Sequence, residues 1–391
     1  MKLFENNKGR TFILVGIFLL LLFCYFNQNY IKEKIRSFSI KKEARWSIER
    51  TSVEEKYPDY KEKQVVEVVS PVLTIDQVYH AMTGPAGVFY FKADNTQKSG
   101  IIWLTDYSVK VMDADCKAEL TNDYLCRNNL DVAFSEFIQQ RKETFNNRLI
   151  MTSQGQSALH FPKGFALPLL AHDNISITTQ ALNYDNRSVP VEVRHKVKME
   201  FIRDQDLKTS LKPLFKRTVN VFVEVDTCDV PKTGCDSGRY SRPNATPGPL
   251  ALKKDTLIPL TGHWKIPIGF DTVKYDITSM LQIPFNTTLH YASVYVYPYC
   301  VSLSLKDVTT GEVLFTSAIK NFSGKTGVES IAAYSDVKGK EIFFTHSYQL
   351  ICVTNNTSNS AQDMMAGMIL YFHDKELEHT LAKKSADKKI D

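Results

Sequence analysis

The chain has 391 residues, 43% hydrophobic and 23% charged, a balance that excludes a disordered polymer and leaves room for two folded domains. Its formal net charge of +5 comes from Lys and Arg scattered among acids or gathered near the ends, which argues against a nucleic-acid partner. The sequence holds no serine-nucleophile elbow, phosphate-binding glycine loop or C-x-x-C zinc pair.

Residues 1–10 form a polar flank. Thr11 to Phe26 carries no charge and is rich in Leu, Ile and Phe, and residues 11–30 together reach the length of a membrane-spanning helix. No small-x-small cleavage site follows, so the segment reads as an uncleaved transmembrane signal anchor. The basic residues Lys32, Lys34, Arg36, Lys41, Lys42 and Arg45 outnumber those before the span, a bias that alone would keep the body in the cytoplasm. Cysteine usage points the other way. Cys116, Cys126, Cys228, Cys235, Cys300 and Cys352 make an even set suited to disulfides in an oxidising compartment, and Cys228 and Cys235 flank a turn-rich loop that a bridge would close. The reading adopted is a single-pass membrane protein with its bulk extracytoplasmic, facing the periplasm from a bacterial inner membrane or lying on a lumenal or extracellular side.

Residues 31–65 alternate in charge and read as a partly helical stalk. From residue 66 the pattern changes to short β-branched and aromatic runs divided by Gly, Pro, Asn and Asp, the signature of an antiparallel all-β body. Strands are expected at Gly87 to Lys92, Gly100 to Met112, Arg148 to Thr152, Asn174 to Asn183, Val191 to Ile202 and Thr218 to Val225, with a short helix around Asp131 to Arg141. These make a first β-sandwich over residues 66–228. Residues 229–254, rich in Gly and Pro, read as a linker loop. A second sandwich over residues 255–378 is expected from strands at Thr261 to Ile266, Thr272 to Ile277, Thr288 to Leu305, Glu312 to Ala318, Glu341 to Thr354 and Met364 to Phe372, with a turn at Thr309-Thr310-Gly311. Residues 379–391 read as a solvated basic tail.

The stretch from Thr287 to Phe315 organises the second body. Strand alternation puts Tyr291, Ser293, Tyr295 and Tyr297 on one face and His290, Ala292, Val294 and Val296 on the other. Tyr295 and Tyr297 therefore stand side by side with the spacing by which a strand would offer two histidines to one metal ion.

Gly262-His263-Trp264 with Ile266-Pro267, the Thr287-Thr288-Leu289-His290-Tyr291 strand, Leu305-Lys-Asp-Val-Thr-Thr-Gly-Glu, Val353-Thr-Asn-Asn-Thr-Ser and Gln362-Asp363-Met364-Met365-Ala366 resemble the copper type II, ascorbate-dependent monooxygenase superfamily, and its bacterial branch most. Asp123-Tyr-Leu-Cys-Arg-Asn-Asn-Leu-Asp131 and Val193-Arg194-His195-Lys196 carry the resemblance in the first body. Peptidylglycine α-hydroxylating monooxygenase is the best-known member. The resemblance implies two jelly-roll sandwiches in tandem, each giving one copper site to the cleft between them, one site of histidines and one of a His-x-His strand plus a Met thioether. Met365 stands where the thioether is implied, but Tyr295 and Tyr297 occupy the His-x-His positions. Arg127 follows Cys126 where relatives place a histidine, and Tyr184 occupies another ligand position. His263, His290 and His195 are the imidazoles left as candidate copper ligands.

Neutral phenol is a poor copper ligand and a guanidinium repels the cation. The function expected is therefore a membrane-anchored extracytoplasmic binding or assembly protein on a monooxygenase-like scaffold, catalytically inactive and without a cofactor. Its cleft residues are Tyr295, Tyr297, Tyr184 and Arg127, and its partner is a protein or peptide ligand. The alternative is a copper-dependent monooxygenase with a remodelled or single copper site, which uses Met365 and brings together at least two of His263, His290, His195 and His346.

Overall fold

The computed structural model describes residues 45–53, 59–96, 100–132, 135, 147–184, 190–224, 247–253 and 256–387. The strands run in chain order β1 (Ser47–Val53), β2 (Lys63–Val69), β3 (Leu73–Ile75), β4 (Ala86–Lys92), β5 (Ile101–Asp113), β6 (Leu125–Val132), β7 (Arg148–Ser153), β8 (Ala158–His160) and β9 (Phe165–Leu170). Next come β10 (Asn174–Ala181), β11 (Val191–Arg203), β12 (Lys212–Asn220), β13 (Val223–Glu224), β14 (Pro247–Lys253), β15 (Thr256–Thr261), β16 (Trp264–Ile266) and β17 (Gly269–Asp276). After a one-turn helix α1 (Thr278–Leu281) follow β18 (Thr287–Val296), β19 (Cys300–Asp307), β20 (Val313–Asn321), β21 (Val328–Ile331), β22 (Tyr334–Ile342), β23 (Tyr348–Asn356), β24 (Gln362–Met364) and β25 (Ala366–His373), then a closing helix α2 (Lys375–Asp387). The protein is thus mostly β, with large sheets packed as sandwiches.

β11 shows why these residues form strands. Val193, His195, Val197, Met199 and Phe201 are buried, while Glu192, Arg194, Lys196, Lys198 and Glu200 alternate with them toward the outside. It pairs antiparallel with β5 in the register Val197↔Val109. On the outer face Lys63 of β2 reaches Glu200 at 2.9 Å and Asp106 at 3.7 Å. A second sheet, in the order β4-β10-β6-β7, covers the inner face. Leu130, Ile150, Ile175 and Ile177 meet Val66, Val109, Val197 and Phe201 in one hydrophobic core.

β18 and β25 are of a different kind. Nearly every residue in them is buried, so both of their faces are covered. Tyr291, Tyr295, Ile369 and Tyr371 join the first core. Ala292, Val294, Met368, Leu370 and Phe372 join a second core, closed by the sheet β17-β23-β19-β20-β21. A strand buried on both sides reads as a near-continuous apolar run rather than an alternating one.

One extended sheet joins the two cores in the order β1-β2-β11-β5-β9-β12-β25-β18-β22. β12 is its hinge strand, pairing in parallel with β9 (Lys212↔Phe165) and antiparallel with β25 (Leu214↔His373 through Asn220↔Gly367). The sequence places this segment in the first sandwich, yet its long partner belongs to the second. Residues Trp46 to Asp391 accordingly form a single compact unit. Buried Arg217 of β12 ties in α1, donating from Nε to Leu281 O at 2.7 Å and from Nη2 to Gln282 O at 3.2 Å.

A plug adds to this connection. The turn between β7 and β8 sends Gln156 Oε1 to accept from Val294 N at 2.9 Å, and Gln154 Oε1 to accept from Val328 N at 2.9 Å. Tyr371 Oη donates to Leu149 O at 2.8 Å. Gly155, at φ +84°, lies so close that an added Cβ would stand 2.7 Å from Val328 Cγ1.

Several sequence expectations are corrected. The stalk over residues 31–65 is not helical where it is described: Ser47–Val53 pairs with β2 in the register Ser47↔Val69, and Trp46 stacks on Phe89 at 5.4 Å, so this segment is part of the β body. Pro247–Lys253, taken as linker, is a strand paired with β15. The strand expected over Thr288 to Leu305 is two, β18 and β19, and that over Glu341 to Thr354 is the end of β22 and the whole of β23. The tail from residue 379 is helical through Asp387: Lys375-Glu-Leu-Glu-His-Thr-Leu is built of helix formers, acids occupy the first turn, and Asp374 Oδ1 accepts from Leu377 N at 2.9 Å. The turn at Thr309-Thr310-Gly311 links β19 to β20 as expected, with Gly311 N donating to Asp307 O at 2.9 Å. The anchor over residues 11–30 and most of the linker lie outside the described residues, as does most of the helix expected around Asp131 to Arg141, of which Asp131 and Val132 belong to β6. Among the described residues no helix is long and apolar enough to cross a membrane.

Gly155→Ala tests the plug. A positive-φ alanine with its Cβ against Val328 is expected to lower the unfolding free energy by roughly 2 kcal/mol in urea titration. An unchanged midpoint would show that the turn is not held against the second core.

Candidate functional site

The cleft residues come from the ends of elements on both sides of β18. Arg127 lies on β6, Tyr184 just after β10, Tyr295 on β18, Tyr297 just past its end, and Met365 between β24 and β25. All five line one small cavity, together with Met82, Cys126, Gln154 and Pro298. About 30 Å³ of it is open to the centre of a water molecule. Two wider compartments share Tyr184 as a wall. One, of about 160 Å³, is lined by Asp123, Asn183, Lys325 and Thr326. The other, of about 280 Å³, is lined by His80, Tyr297, Tyr299, Ser358, Gln362 and Asp363.

The two central tyrosines do not share a face. Tyr295 obeys strand alternation and enters the first core, where its hydroxyl donates to Asn220 Oδ1 at 2.7 Å and burial pushes its pKa up. The fit is close: a Cβ on Gly367 would stand 2.4 Å from the Tyr295 hydroxyl. β18 ends at Val296, so alternation stops there, and Tyr297 packs into the second core instead. Its backbone N donates to Met365 O at 3.1 Å, and its ring lies 5.9 Å from that of His263. Tyr295 is therefore a core residue with one edge on the cleft, and its replacement disturbs folding as well as any binding.

Arg127 is half-buried. Its Nε is sealed from solvent and has no hydrogen-bond partner, and burial lowers its pKa, with the charge of Arg148 acting in the same direction. The acid that acts on it, Asp131, is engaged by Arg148, whose Nε donates to it at 3.2 Å; in the neighbouring compartments Lys325 pairs with Asp123, and Lys265 pairs with Asp363 at 2.9 Å.

The candidate metal ligands are spread through the body. His195 is fully buried in the first core, its Nδ1 bonded to Thr179 Oγ1, in a chain that continues through Asn128 to Tyr107. Burial lowers its pKa to about 3, so it is neutral. His290 sits at a bulge in β18, stacks on Phe165 at 3.9 Å and has both ring nitrogens engaged, by Thr288 Oγ1 at 2.7 Å and Asp336 O at 2.9 Å. His346 bonds Asp307 at 2.6 Å. Of the four predicted ligands Met365, His263, His290 and His195, the first lines the cleft and the second stands beside Tyr297, while the other two lie in separate packing environments. The set brought together at the cleft is a guanidinium, phenols, the Cys126 thiol and the thioethers of Met82, Met151 and Met365, and none of the imidazoles that the resemblance implies lines it. Among the described residues no group of three or more His, Cys, Asp or Glu is arranged to hold a metal.

Four of the six candidate disulfide cysteines are among the described residues. Cys116, Cys126, Cys300 and Cys352 are not disulfide-bonded. Cys300 and Cys352 lie on adjacent strands β19 and β23 with their sulfurs 3.8 Å apart, well beyond the ~2.05 Å of a bond. Cys126 accepts from Met82 N at 3.3 Å inside the cleft. Cys228 and Cys235 lie outside the described residues.

Sequence reasoning did not find His80, Tyr299, Gln362 or the Asp123–Lys325 pair. Backbone geometry marks some of the same region: Met82 (φ 68°) and Tyr299 (φ 74°) hold left-handed conformations that bulky residues avoid. Tyr299 is kept there by Asn321 Oδ1, which accepts from its N at 2.8 Å, and by Asn355 N, which donates to its carbonyl at 2.8 Å.

No protein-family model matches the chain, and no curated protein matches it in sequence. Among solved structures, a peptide-N(4)-(N-acetyl-β-D-glucosaminyl)asparagine amidase overlaps 77% of this chain and 95% of its own at 9% identity, with a TM-score of 0.30. The infectious bursal disease virus Gx strain structure overlaps 83% of this chain and 74% of its own at 8% identity, with a TM-score of 0.19. Scores this low establish neither a shared fold nor a shared activity.

His195 provides a pH test. Its folded pKa of about 3 lies below the ordinary 6.5, so between those values the unfolded chain takes up a proton that the folded chain refuses. Stability is therefore complete above the ordinary value and falls as the pH drops through it, by about 1.4 kcal/mol per unit. His195→Gln is expected to remove that slope from urea unfolding measured over roughly pH 6 to 4.5. Parallel curves for the two proteins would mean that His195 is reached by solvent.

Proposed function

We propose that the chain is a membrane-anchored, extracytoplasmic binding or assembly protein without catalytic activity. Its body is a pair of tandem jelly-roll sandwiches of the copper-monooxygenase-like kind, held to the membrane by residues 11–30, and its cleft receives a protein or peptide partner. The observation that carries this reading is the meeting of Arg127, Tyr184, Tyr295, Tyr297 and Met365 in one cavity. Four of these five stand where the resemblance implies metal ligands and are not histidines.

Phenol rings supply contact area and a hydroxyl at little entropic cost, which favours recognition. Tyr184 and Tyr297 both border the widest compartment, where Tyr299, His80 and Gln362 add aromatic and amide groups. Two of the four non-glycine positions with left-handed backbone among the described residues, Met82 and Tyr299, border the cleft.

Site-specific photocrosslinking in intact cells tests the reading. With Tyr299→p-benzoylphenylalanine in the full chain, a discrete adduct is expected that disappears when Tyr184→Ala is added and does not form from the same substitution at exposed Lys338. Adducts equal at both positions, or none at the cleft, would overturn the proposal.

A further inference from the structure

β17 stands at the end of its sheet. It pairs with β23 along its whole length, from Gly269↔Asn356 to Asp276↔Gln349, without a bulge, and among the described residues no strand pairs with its other side. In an antiparallel ladder successive residues turn their backbone groups to opposite sides. Asp271 O accepts from Thr354 Oγ1 at 3.4 Å and Ile277 N donates to Tyr348 O at 2.9 Å, so the odd-numbered positions face β23. Phe270, Thr272 and Lys274 therefore direct their N–H and C=O groups to the open side, where Thr272 N meets only the side chain of Asp271, at 2.9 Å.

The edge is apolar as well as open. Phe270 is 75% exposed, and Ile268, just before the strand, is 61% exposed. Native sheets blunt their free edges with bulges, charges or a covering segment, and an extended apolar edge without them takes up another strand. The charges of β17 select that strand, because its sequence is complementary to itself in one antiparallel register. Around a twofold axis at Thr272, Phe270 of each copy lies opposite Lys274 of the other, an ammonium beside an aromatic ring, and no charge opposes its like. Centring the pair on Asp271 or Lys274 sets a charge against itself, and centring it on Val273 sets Asp276 against the Phe270 ring. Centring it on Phe270 draws Pro267, which has no N–H, into the ladder.

We infer that β17 is an interface between two copies of this chain, which join antiparallel through Phe270, Thr272 and Lys274 so that their β17-β23-β19-β20-β21 sheets become one. Thr272 exchanges both backbone bonds with its counterpart, Phe270 does the same with Lys274 of the second copy, and the exposed phenyl ring is drawn out of water. No residue of β17 lines the cleft or its two neighbouring compartments, so the interface stands whether or not the cleft receives a partner.

Sedimentation equilibrium of the full chain in detergent at neutral pH and low salt tests the interface. The natural chain is expected to form a dimer that dissociates on dilution. Phe270→Lys, which brings like charges together across the axis, is expected to raise the dissociation constant tenfold or more, whereas Phe270→Glu, equally polar, meets Lys274 of the second copy and stays within a few-fold of the natural chain. Combining Phe270→Lys with Lys274→Glu restores the dimer. Phe270 and Lys274 are exposed, so the variants keep the fold, and an unchanged urea midpoint verifies it. A natural chain that stays monomeric, leaving the edge to lipid or to a different protein, would overturn the interface. So would a dimer indifferent to these substitutions, an equal loss with Lys and Glu, or a greater loss with Glu than with Lys.

Discussion

The two-sided burial of β18 and β25 is the constraint on which the structure depends. A single pair of strands serves as a wall of two cores, so its residues are apolar on both faces, and neither core closes without it. β12 fastens this wall to the strands of the first core, and the Gln154-Gly155-Gln156 turn pins it from the other side. At the C-terminal end of β18 the wall stops. There the chain turns through Tyr297, Pro298 and Tyr299, and the cleft opens at this point because neither core has a strand left to fill it.

The same geometry explains the divergence of the two tyrosines. Inside the wall alternation holds, and Tyr295 belongs to the first core. One step beyond the last paired residue it no longer applies, and Tyr297 falls into the second core. A His-x-His motif needs both side chains on one face of a continuing strand. This strand ends between the two positions, so their distance from metal-site geometry is one of backbone as well as of side-chain chemistry.

What was legible in the sequence followed the strength of local signals. β5 and β11 are long alternating runs, and the turn at Thr309 to Gly311 carries its own signature, so these elements fall where the pattern puts them. β1 was missed because it is an edge strand, exposed on nearly all its residues, whose composition is that of a solvated stalk. The pairing of β12 with β25 joins residues about 150 positions apart, and no local pattern encodes it. The gathering of Arg127, Tyr184, Tyr295, Tyr297 and Met365 came from a family resemblance and not from spacing. Tyr299 and Met82 were invisible because a left-handed tyrosine or methionine has no compositional mark. The histidines carry no local mark of their partners: a threonine hydroxyl engages Nδ1 of His195, while a threonine hydroxyl and a backbone carbonyl engage both ring nitrogens of His290.

The account's central claim is that the cleft recognises a partner and is not a copper centre. Metal analysis of the purified full chain, after loading with copper in the presence of a reductant and exhaustive dialysis, tests it most directly. The account predicts that no stoichiometric copper is retained and that Tyr184→Ala and Met365→Leu leave the metal content unchanged. Two tightly held coppers per chain, with hydroxylation of a peptide that depends on the reductant, would contradict it.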